Sequence, residues 1–219
     1  LGVPVRVWPR APLLKNFLMI DLYKYSKKNK LFEYIIFRLL KIDINLLTRP
    51  LFSQFSVKIN FDRNFFYDYK KKFPETKWMR FKNALKFYQS NHDLQKYKEM
   101  KLAKKSFEEL LNKEIKKNIF EKNILGKFKI KNMWFTIQGK NEGHHSHNHP
   151  KSILSGVYYF EVQRDSGGEI NLELENKNIT YSPKKNDLII FNSSVFHSVN
   201  PYLSDKDRIA VAWDAIYTL

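Results

Sequence analysis

Residues 144–159 read HHSHNHPKSILSGVYY, a histidine-rich segment that turns at Pro150 into a run with the composition of a β-strand. Five of the six histidines lie in the last 76 residues, and four of these five fall within 144–149. The fifth is His197, which follows another β-rich run. Because neutral imidazoles are common ligands of transition metals, a histidine cluster beside one strand and a lone histidine after another predict a metal site.

The composition indicates a folded protein with an uneven charge. The chain has 219 residues, of which 43% are hydrophobic and 16% aromatic, enough for one domain or for one domain with a long extension. Residues 1–130 hold 30 Lys and Arg against 12 Asp and Glu, a net charge of +18, whereas residues 131–219 hold 9 against 10. The basic character therefore belongs to the first part, and the histidine motif belongs to a neutral second part.

The charge and the residue types limit the partners and the compartment. A basic first part attracts polyanions, so we expect an anionic small-molecule or carrier-bound substrate, with nucleic acid as a lesser alternative. A solvated, Lys-rich helical surface explains the same composition without a partner. The chain has no cysteine, which excludes thiolate ligands and favours the cytoplasm. The most apolar run, residues 34–40, is too short to cross a bilayer, so no transmembrane segment is predicted; the oligomeric state is left open.

Two hydrophobic periodicities predict an α+β protein. Before residue 131, apolar residues recur every three or four positions in Asp21–Leu47 and Ser106–Phe120, which indicates helices. After it, short β-rich runs separated by Gly, Asn, Asp and Pro predict the strands Met133–Ile137, Ile153–Val162, Glu169–Leu174, Asn178–Tyr181, Asp187–Phe191, Val195–Val199 and Arg208–Tyr217. We expect a β-sandwich or jelly roll in residues 131–219, with a basic, mainly helical region in residues 1–130 packed on it as one integrated domain.

Alternation along a strand predicts which histidines face one another. Residues i and i+2 point to the same side, so His147 and His149 can both point into the mouth of a β-barrel while Asn148 points away. His197 lies 48 residues after His149, at the end of another strand, and strands distant in sequence face each other in a jelly roll. These three imidazoles suit iron, copper, nickel or zinc, and they leave other metal positions open for a bidentate co-substrate and O₂.

Arg208 is the candidate for binding a carboxylate near the metal. It opens the hydrophobic run Arg208–Trp213, 11 residues after His197, and needs a partner if it faces inward. A guanidinium binds a carboxylate in bidentate fashion, so a carboxylate ligand would meet that need. The alternative is an ion pair with Asp205 or Asp207 in the preceding turn.

Together these residues resemble a known family. The elements, in order, are Trp134 in a strand, HNHP (147–150), SGVYY (155–159), GGE (167–169), Pro183, DLIIF (187–191), HSVNP (197–201) and DRIA (207–210). This order is similar to that of the 2-oxoglutarate/Fe(II)-dependent dioxygenases, above all to a branch with an H-x-H-P…S-G-V-Y-Y core. The resemblance covers residues 131–217, and the preceding helices match no motif of the family.

The resemblance implies a double-stranded β-helix and an oxygenase, in the first place a hydroxylase, that couples oxidative decarboxylation of 2-oxoglutarate to oxidation of its substrate. Fe(II) is the implied metal, with 2-oxoglutarate and O₂ as co-substrates. By this analogy His147 and His197 hold the iron, and Arg208 pairs with the distal carboxylate of 2-oxoglutarate. Tyr158 or Tyr159 would add a hydroxyl to the same cradle, and no catalytic side chain is implied beyond the metal site.

The sequence departs from the wider superfamily at one position. The usual iron site there is His-x-Asp/Glu…His, but two residues after His147 stands His149. His149 can be a third ligand, or it can lie behind the metal with water completing the site; alternatively, the pair is His145 and His147. We favour His147, His149 and His197, with His145 as the substitute. Carboxylates less suitably placed to complete the site are Glu169, Glu173 and Glu175.

Two other functions remain open from the sequence. A cupin-like metal enzyme that does not use 2-oxoglutarate also clusters histidines in a barrel, although cupins carry a Glu soon after H-x-H and Ser152–Leu154 provides none. A non-catalytic β-sandwich that binds polyanions through the basic first part is the alternative from another class.

Overall fold

The computed structural model of the protein describes residues 51–76, 87–116, 126–174 and 177–218. Within these ranges the strands are β1 Phe52–Ser56, β2 Tyr88–Gln89, β3 Lys127–Gln138, β4 His144–His147, β5 Leu154–Glu161, β6 Ile170–Leu174, β7 Lys177–Tyr181, β8 Asp187–Asn192, β9 Phe196–Val199 and β10 Arg208–Thr218. The helices are α1 Arg63–Lys72 and α2 Lys98–Leu110, a 3₁₀ turn Leu94–Lys96 before α2, and a π-helical stretch Leu111–Ile115 after it.

The strands form two antiparallel sheets that face each other. The larger sheet has the order β1-β8-β5-β10-β3-β2, and the smaller has the order β4-β9-β6-β7. Strand β5 pairs with β8 in the larger sheet and β4 pairs with β9 in the smaller sheet, although other strands intervene along the chain, because the chain passes repeatedly from one sheet to the other. The architecture is a jelly roll, as the sequence predicts, and its sheets enclose a layer of apolar side chains.

All seven runs predicted after residue 131 are strands of the structure, with β3 beginning six residues earlier than predicted. Their boundaries follow the turn residues: Asn141, Asp165 and Asn186 adopt positive φ, a conformation that Asn and Asp tolerate better than most other residues. The strand β4 carries the histidine cluster and pairs with β9. It has little apolar character, which is why its extent could not be read from hydrophobicity.

The prediction of a mainly helical region in residues 1–130 is not supported. The helix expected at Asp21–Leu47 lies outside the described residues. Of the part that the structure describes, β1 and β2 are strands at the two edges of the larger sheet, where β1 pairs with β8 and β2 with β3. The helix expected at Ser106–Phe120 begins earlier, at Lys98, and can be followed only to residue 116.

Strand alternation divides the interior into two apolar layers. One face of the larger sheet packs on α1 and α2, where the buried ring of Phe66 lies 5.0 Å from Phe135 and 5.1 Å from Phe160. The other face packs on the smaller sheet. Neighbouring residues of β5 therefore enter different layers, and Tyr158 belongs to the helical side while Tyr159 lies between the sheets.

The division of the chain into two parts at residue 130 stays a prediction.

Among the described residues, no helix is long and apolar enough to cross a membrane. The cytoplasmic location stays a prediction of the composition.

Candidate active site

Strands β4 and β9 bring two histidines face to face. His147 and His197 are partners in the register of these strands, and their ring centroids are 4.2 Å apart. Strand β4 ends at His147, so the prediction that His147 and His149 alternate along one strand is wrong. His149 lies in the following turn, where its backbone N–H donates to Ser193 O at 2.8 Å. Its ring still stacks on His197, with centroids 5.2 Å apart and 13° between planes. One nitrogen from each of the three rings lies within 4.8 Å of the others.

In each of the three histidine rings, Nδ1 faces an oxygen atom of the protein. Nδ1 of His147 lies 2.9 Å from the carbonyl oxygen of His145, and Nδ1 of His197 lies 3.1 Å from that of Val195. Nδ1 of His149 lies 3.3 Å from a carboxylate oxygen of Asp214. The carbonyl oxygens are hydrogen-bond partners of His147 and His197, and the Asp214 carboxylate lies close to His149. These oxygens are acceptors only, which favours the proton on Nδ1 and makes Nε2 the lone-pair donor of each imidazole. A divalent metal requires this form from histidine ligands.

Burial keeps the innermost ring neutral. His197 is 5% exposed, and burial together with the neighbouring His147 and His149 lowers its pKa to about 2. A neutral imidazole is the metal-binding form, so the site needs to release no proton from His197 to accept a cation. The donor set of three imidazoles fits an iron, copper, nickel or zinc ion.

Arg208 lies in the same cavity as the histidines, between the two sheets. Its Nη1 donates to Oε1 of Gln138, and its guanidinium carbon is 5.0 Å from the centre of the Tyr159 ring. Three buried polar atoms around it have no hydrogen-bond partner among the described residues: Arg208 Nε, Gln138 Nε2 and the Tyr159 hydroxyl. Three convergent donors without an acceptor in a buried pocket fit the carboxylate of a bound ligand.

The pairing of Arg208 with a turn carboxylate does not occur. Asp205 forms an ion pair with Lys140 at 2.8 Å, and Asp207 accepts a hydrogen bond from the Tyr67 hydroxyl at 2.9 Å. Burial lowers the pKa of Arg208 from its usual value, because the protein around it holds too little negative charge to offset the loss of water. A carboxylate ligand would supply that charge.

Two other candidate residues lie away from the cavity. The Tyr158 hydroxyl donates to Oδ1 of Asn186 at 2.9 Å on the helical side of the sheet, so the structure brings Tyr159 and not Tyr158 to Arg208. His145 is exposed, and its ring is not part of the three-histidine group.

The other sources of a carboxylate have partners elsewhere. Glu169 accepts from Asn200 at 3.1 Å, and Glu173, which is exposed, accepts from Ser146 at 2.7 Å. Glu175 lies outside the described residues. Within the described part of the chain, no carboxylate joins the three imidazoles as a fourth candidate ligand.

The structure adds residues that the sequence reading missed. Asp214 lies on the same face of β10 as Arg208, six residues further on, so strand alternation was a signal that could have found it. Gln138 is the register partner of Arg208 on β3, a pairing that no local pattern reveals. His92 is a further residue near the site, and it stacks on Trp134 with centroids 4.2 Å apart.

A second, wider cleft lies outside the histidine group and shares His144, His147, His149 and Trp134 with the inner cavity. Its other lining residues are mainly polar: Gln89, His92, Asn132, Asn148, Pro150, Lys151, Ser152 and Asp214. The inner cavity and this outer cleft meet at the histidines, so a molecule in the outer cleft would lie next to the candidate metal ligands.

Comparisons with known proteins find one family model that matches part of the chain and several solved structures with a similar fold. Residues 132–214 match the model of the family described as "Putative 2OG-Fe(II) oxygenase". No curated protein is similar enough to the sequence to count as a match. Two solved structures resemble the fold: a prolyl-4-hydroxylase from Pseudomonas putida (16% identity, 74% of this chain and 91% of that chain, TM-score 0.55) and the viral collagen prolyl hydroxylase of Paramecium Bursaria Chlorella virus-1 in complex with 2OG (14%, 75% and 96%, TM-score 0.53).

A third structure, an oxidoreductase of the 2OG-Fe(II) oxygenase family from Burkholderia pseudomallei, is 14% identical and covers 51% of this chain, with a TM-score of 0.42. The present chain spans 57% of that protein's length. The fold comparisons and the family model confirm the resemblance found in the sequence. Residues 132–214 are thus similar in sequence to the 2OG-Fe(II) oxygenase family, and the chain is similar in fold to two prolyl hydroxylases.

Proposed function

We propose that the protein is a hydroxylase that couples oxidative decarboxylation of 2-oxoglutarate to oxidation of its substrate, with iron held by His147, His149 and His197. The observation that carries this proposal is the shared cavity: three imidazoles bring one nitrogen each together at one end, and Arg208 Nε, Gln138 Nε2 and the Tyr159 hydroxyl lack an acceptor at the other. A ligand with a metal-chelating end and a distal carboxylate matches both ends, and 2-oxoglutarate has that chemistry.

The residues of the chain divide the work between binding and shielding. Bound Fe(II) would supply the redox chemistry that activates O₂. Arg208 and Tyr159 would hold the distal carboxylate of 2-oxoglutarate, and Gln138 would keep the guanidinium in place through its Oε1. The buried side chains of Ile170 and Phe191 line the same cavity and would keep water away from the reacting atoms.

The outer cleft is the proposed substrate site. Its amide and imidazole side chains offer both donors and acceptors, and Lys151 adds a positive charge at its edge. These groups suit a small-molecule or carrier-bound substrate with an anionic group, in agreement with the basic first part of the chain. The similar fold of two prolyl hydroxylases makes proline-containing peptides a further substrate class to compare.

The test measures metal loading, co-substrate binding and turnover separately. Protein loaded with Fe(II) without air should bind 2-oxoglutarate with a visible charge-transfer absorption, and should form succinate when O₂ is added, slowly even without substrate. Candidate substrates, as neutral and anionic pairs, are then ranked by how much they accelerate succinate formation. An iron-loaded protein that binds no 2-oxoglutarate by calorimetry or absorption would contradict the proposal.

The three-imidazole site also favours one alternative, a cupin-like metal enzyme that does not use 2-oxoglutarate. Among the described residues the group contains no carboxylate, so the ligand set alone does not require a 2-oxoglutarate enzyme. Arg208→Ala distinguishes the two functions. Unchanged turnover in this variant would indicate the alternative, and lost turnover with retained iron would support the proposed function.

A further inference from the structure

Asp214 is a buried carboxylate that faces the histidine group from behind. The residue is 4% exposed, and Ser155 donates a hydrogen bond to its Oδ1 at 2.7 Å. Its Oδ2 lies 3.3 Å from Nδ1 of His149. Within the described part of the chain, His149 is the only basic side chain whose nitrogen lies close to this carboxylate. A buried carboxylate is costly to desolvate, so the hydrogen bond from Ser155 and the Nδ1 side of the His149 ring are the polar contacts that can offset this cost.

The three histidines differ in what lies behind them. His147 and His197 each have a backbone carbonyl at Nδ1, whereas His149 has the carboxylate of Asp214. A carboxylate behind a metal-bound imidazole holds the ring, fixes its tautomer and makes it a stronger donor. Three neutral imidazoles add no charge to a divalent ion, whereas two imidazoles and a carboxylate add one negative charge.

His149 also needs external support because it lies outside the strand. Its backbone N–H bonds to Ser193 O, and the Ser193 hydroxyl lies 2.9 Å from that of Ser155, which in turn donates to Asp214. One chain of hydrogen bonds thus connects the turn that carries His149 with the carboxylate that faces its ring. This network links β5 and β10 to the turn.

We propose that Asp214 is a positioning residue for the metal site and that it orients His149. It also supplies a negative charge behind His149, without binding the metal itself. In the usual site of two histidines and one carboxylate, the ligating carboxylate supplies that charge. Ser155 holds Asp214 in this role. The inference rests on the proposed metal site, because it assigns the charge of that site to a residue outside the ligand set.

Cobalt binding to the apoprotein, measured by competition with a chelator in the absence of 2-oxoglutarate, tests the inference. Asp214→Asn keeps the shape and removes the charge, and we expect it to weaken Co²⁺ binding about 10- to 100-fold. Ser155→Ala should weaken it less, and Asp214→Glu should restore part of the loss. The matched control is Asp187→Asn, since Asp187 is a comparably buried carboxylate that accepts hydrogen bonds from Tyr181 and Lys184.

A spectroscopic readout separates positioning from general destabilisation. Cobalt-loaded protein should show three hyperfine-shifted, solvent-exchangeable imidazole N–H protons. The signal of the His149 N–H proton is identified as the one missing in His149→Ala. In Asp214→Asn this signal should shift or exchange faster with solvent, while the signals of the other two N–H protons stay unchanged. Cobalt affinity within twofold of the wild type in Asp214→Asn, or an equal loss in Asp187→Asn, would overturn the inference while leaving the metal site intact. Wild-type protein that binds no cobalt would remove the metal site, and with it both proposals.

Discussion

At the scale of single residues, the two adjacent tyrosines of β5 give a matched pair. Tyr159 lies beside Arg208 with a hydroxyl that lacks a partner among the described residues, and burial raises its pKa to about 12, so the hydroxyl stays a donor at neutral pH. Tyr159→Phe should weaken 2-oxoglutarate binding to the metal-loaded protein by about 1 kcal/mol, or roughly fivefold in Kd.

Tyr158→Phe is the control for that experiment, since its hydroxyl bonds to Asn186 on the other side of the sheet. It should change the free energy of unfolding but not the co-substrate affinity. Calorimetry measures 2-oxoglutarate binding to both variants. An equal loss of affinity in the two would show that the Tyr159 hydroxyl does not bind the carboxylate of 2-oxoglutarate.

The residue scale also shows what a sequence can predict about a site. The histidines and Arg208 could be found because a metal ligand or a buried guanidinium is chemically unusual wherever it occurs. Gln138 could not, because an amide in a strand is unremarkable until the register of β3 and β10 places it opposite Arg208. Tyr158 and Tyr159 remained equivalent in the sequence, since deciding between them requires knowing which face of β5 meets which layer.

At the scale of elements, β5 and β10 meet at a position that leaves no room for a side chain. Gly156 is the register partner of Trp213, and a Cβ built on Gly156 would lie 2.1 Å from the indole. Trp213 is fully buried and cannot move aside. Gly156→Ala should therefore lower the free energy of unfolding by about 1–3 kcal/mol, measured by denaturant titration.

Gly139→Ala provides the comparison, because the Cβ added there would meet only a flexible glutamate side chain at 3.6 Å. We expect its stability to stay within about 0.5 kcal/mol of the wild type. A stable Gly156→Ala protein would mean that the two strands can separate enough to admit a methyl group.

The strands were predictable as elements and their order was not. Each apolar run is bounded by turn residues, so its limits follow from local chemistry. The pairing of β1 with β8 joins residues more than 130 positions apart, and no local pattern encodes it. For the same reason β1 and β2 could not be recognised as part of the larger sheet, and the first part of the chain was expected to be mainly helical.

At the scale of the whole molecule, the metal should stabilise the fold. The histidine group joins β4, β9 and the turn after β4, so an ion bound there would connect segments that are otherwise separated by about 50 residues of chain. At a free metal concentration about 100 times Kd, binding to the native state alone adds about 2.7 kcal/mol to the free energy of unfolding. Thermal unfolding of the apoprotein with and without Co²⁺ measures this gain.

His197→Ala should abolish that gain, and His145→Ala should retain it, because the His145 ring lies outside the group. Metal content determined on the same samples checks that the shift reports binding. A His197→Ala protein with the full metal content and the full thermal shift would exclude His197 from the site.

Four aromatic rings stand in a column from the outer cleft to the candidate metal site. His92 stacks on Trp134, Trp134 stacks on His149 with centroids 5.4 Å apart, and His149 stacks on His197. An indole held against a metal-binding ring is a built-in optical sensor, since an open-shell ion such as Co²⁺ bound next to it quenches its emission. Titration with Co²⁺ should dim the tryptophan fluorescence, and Trp134→Phe should reduce the amplitude of that change, so that loading of the site can be followed without a label or an enzymatic assay.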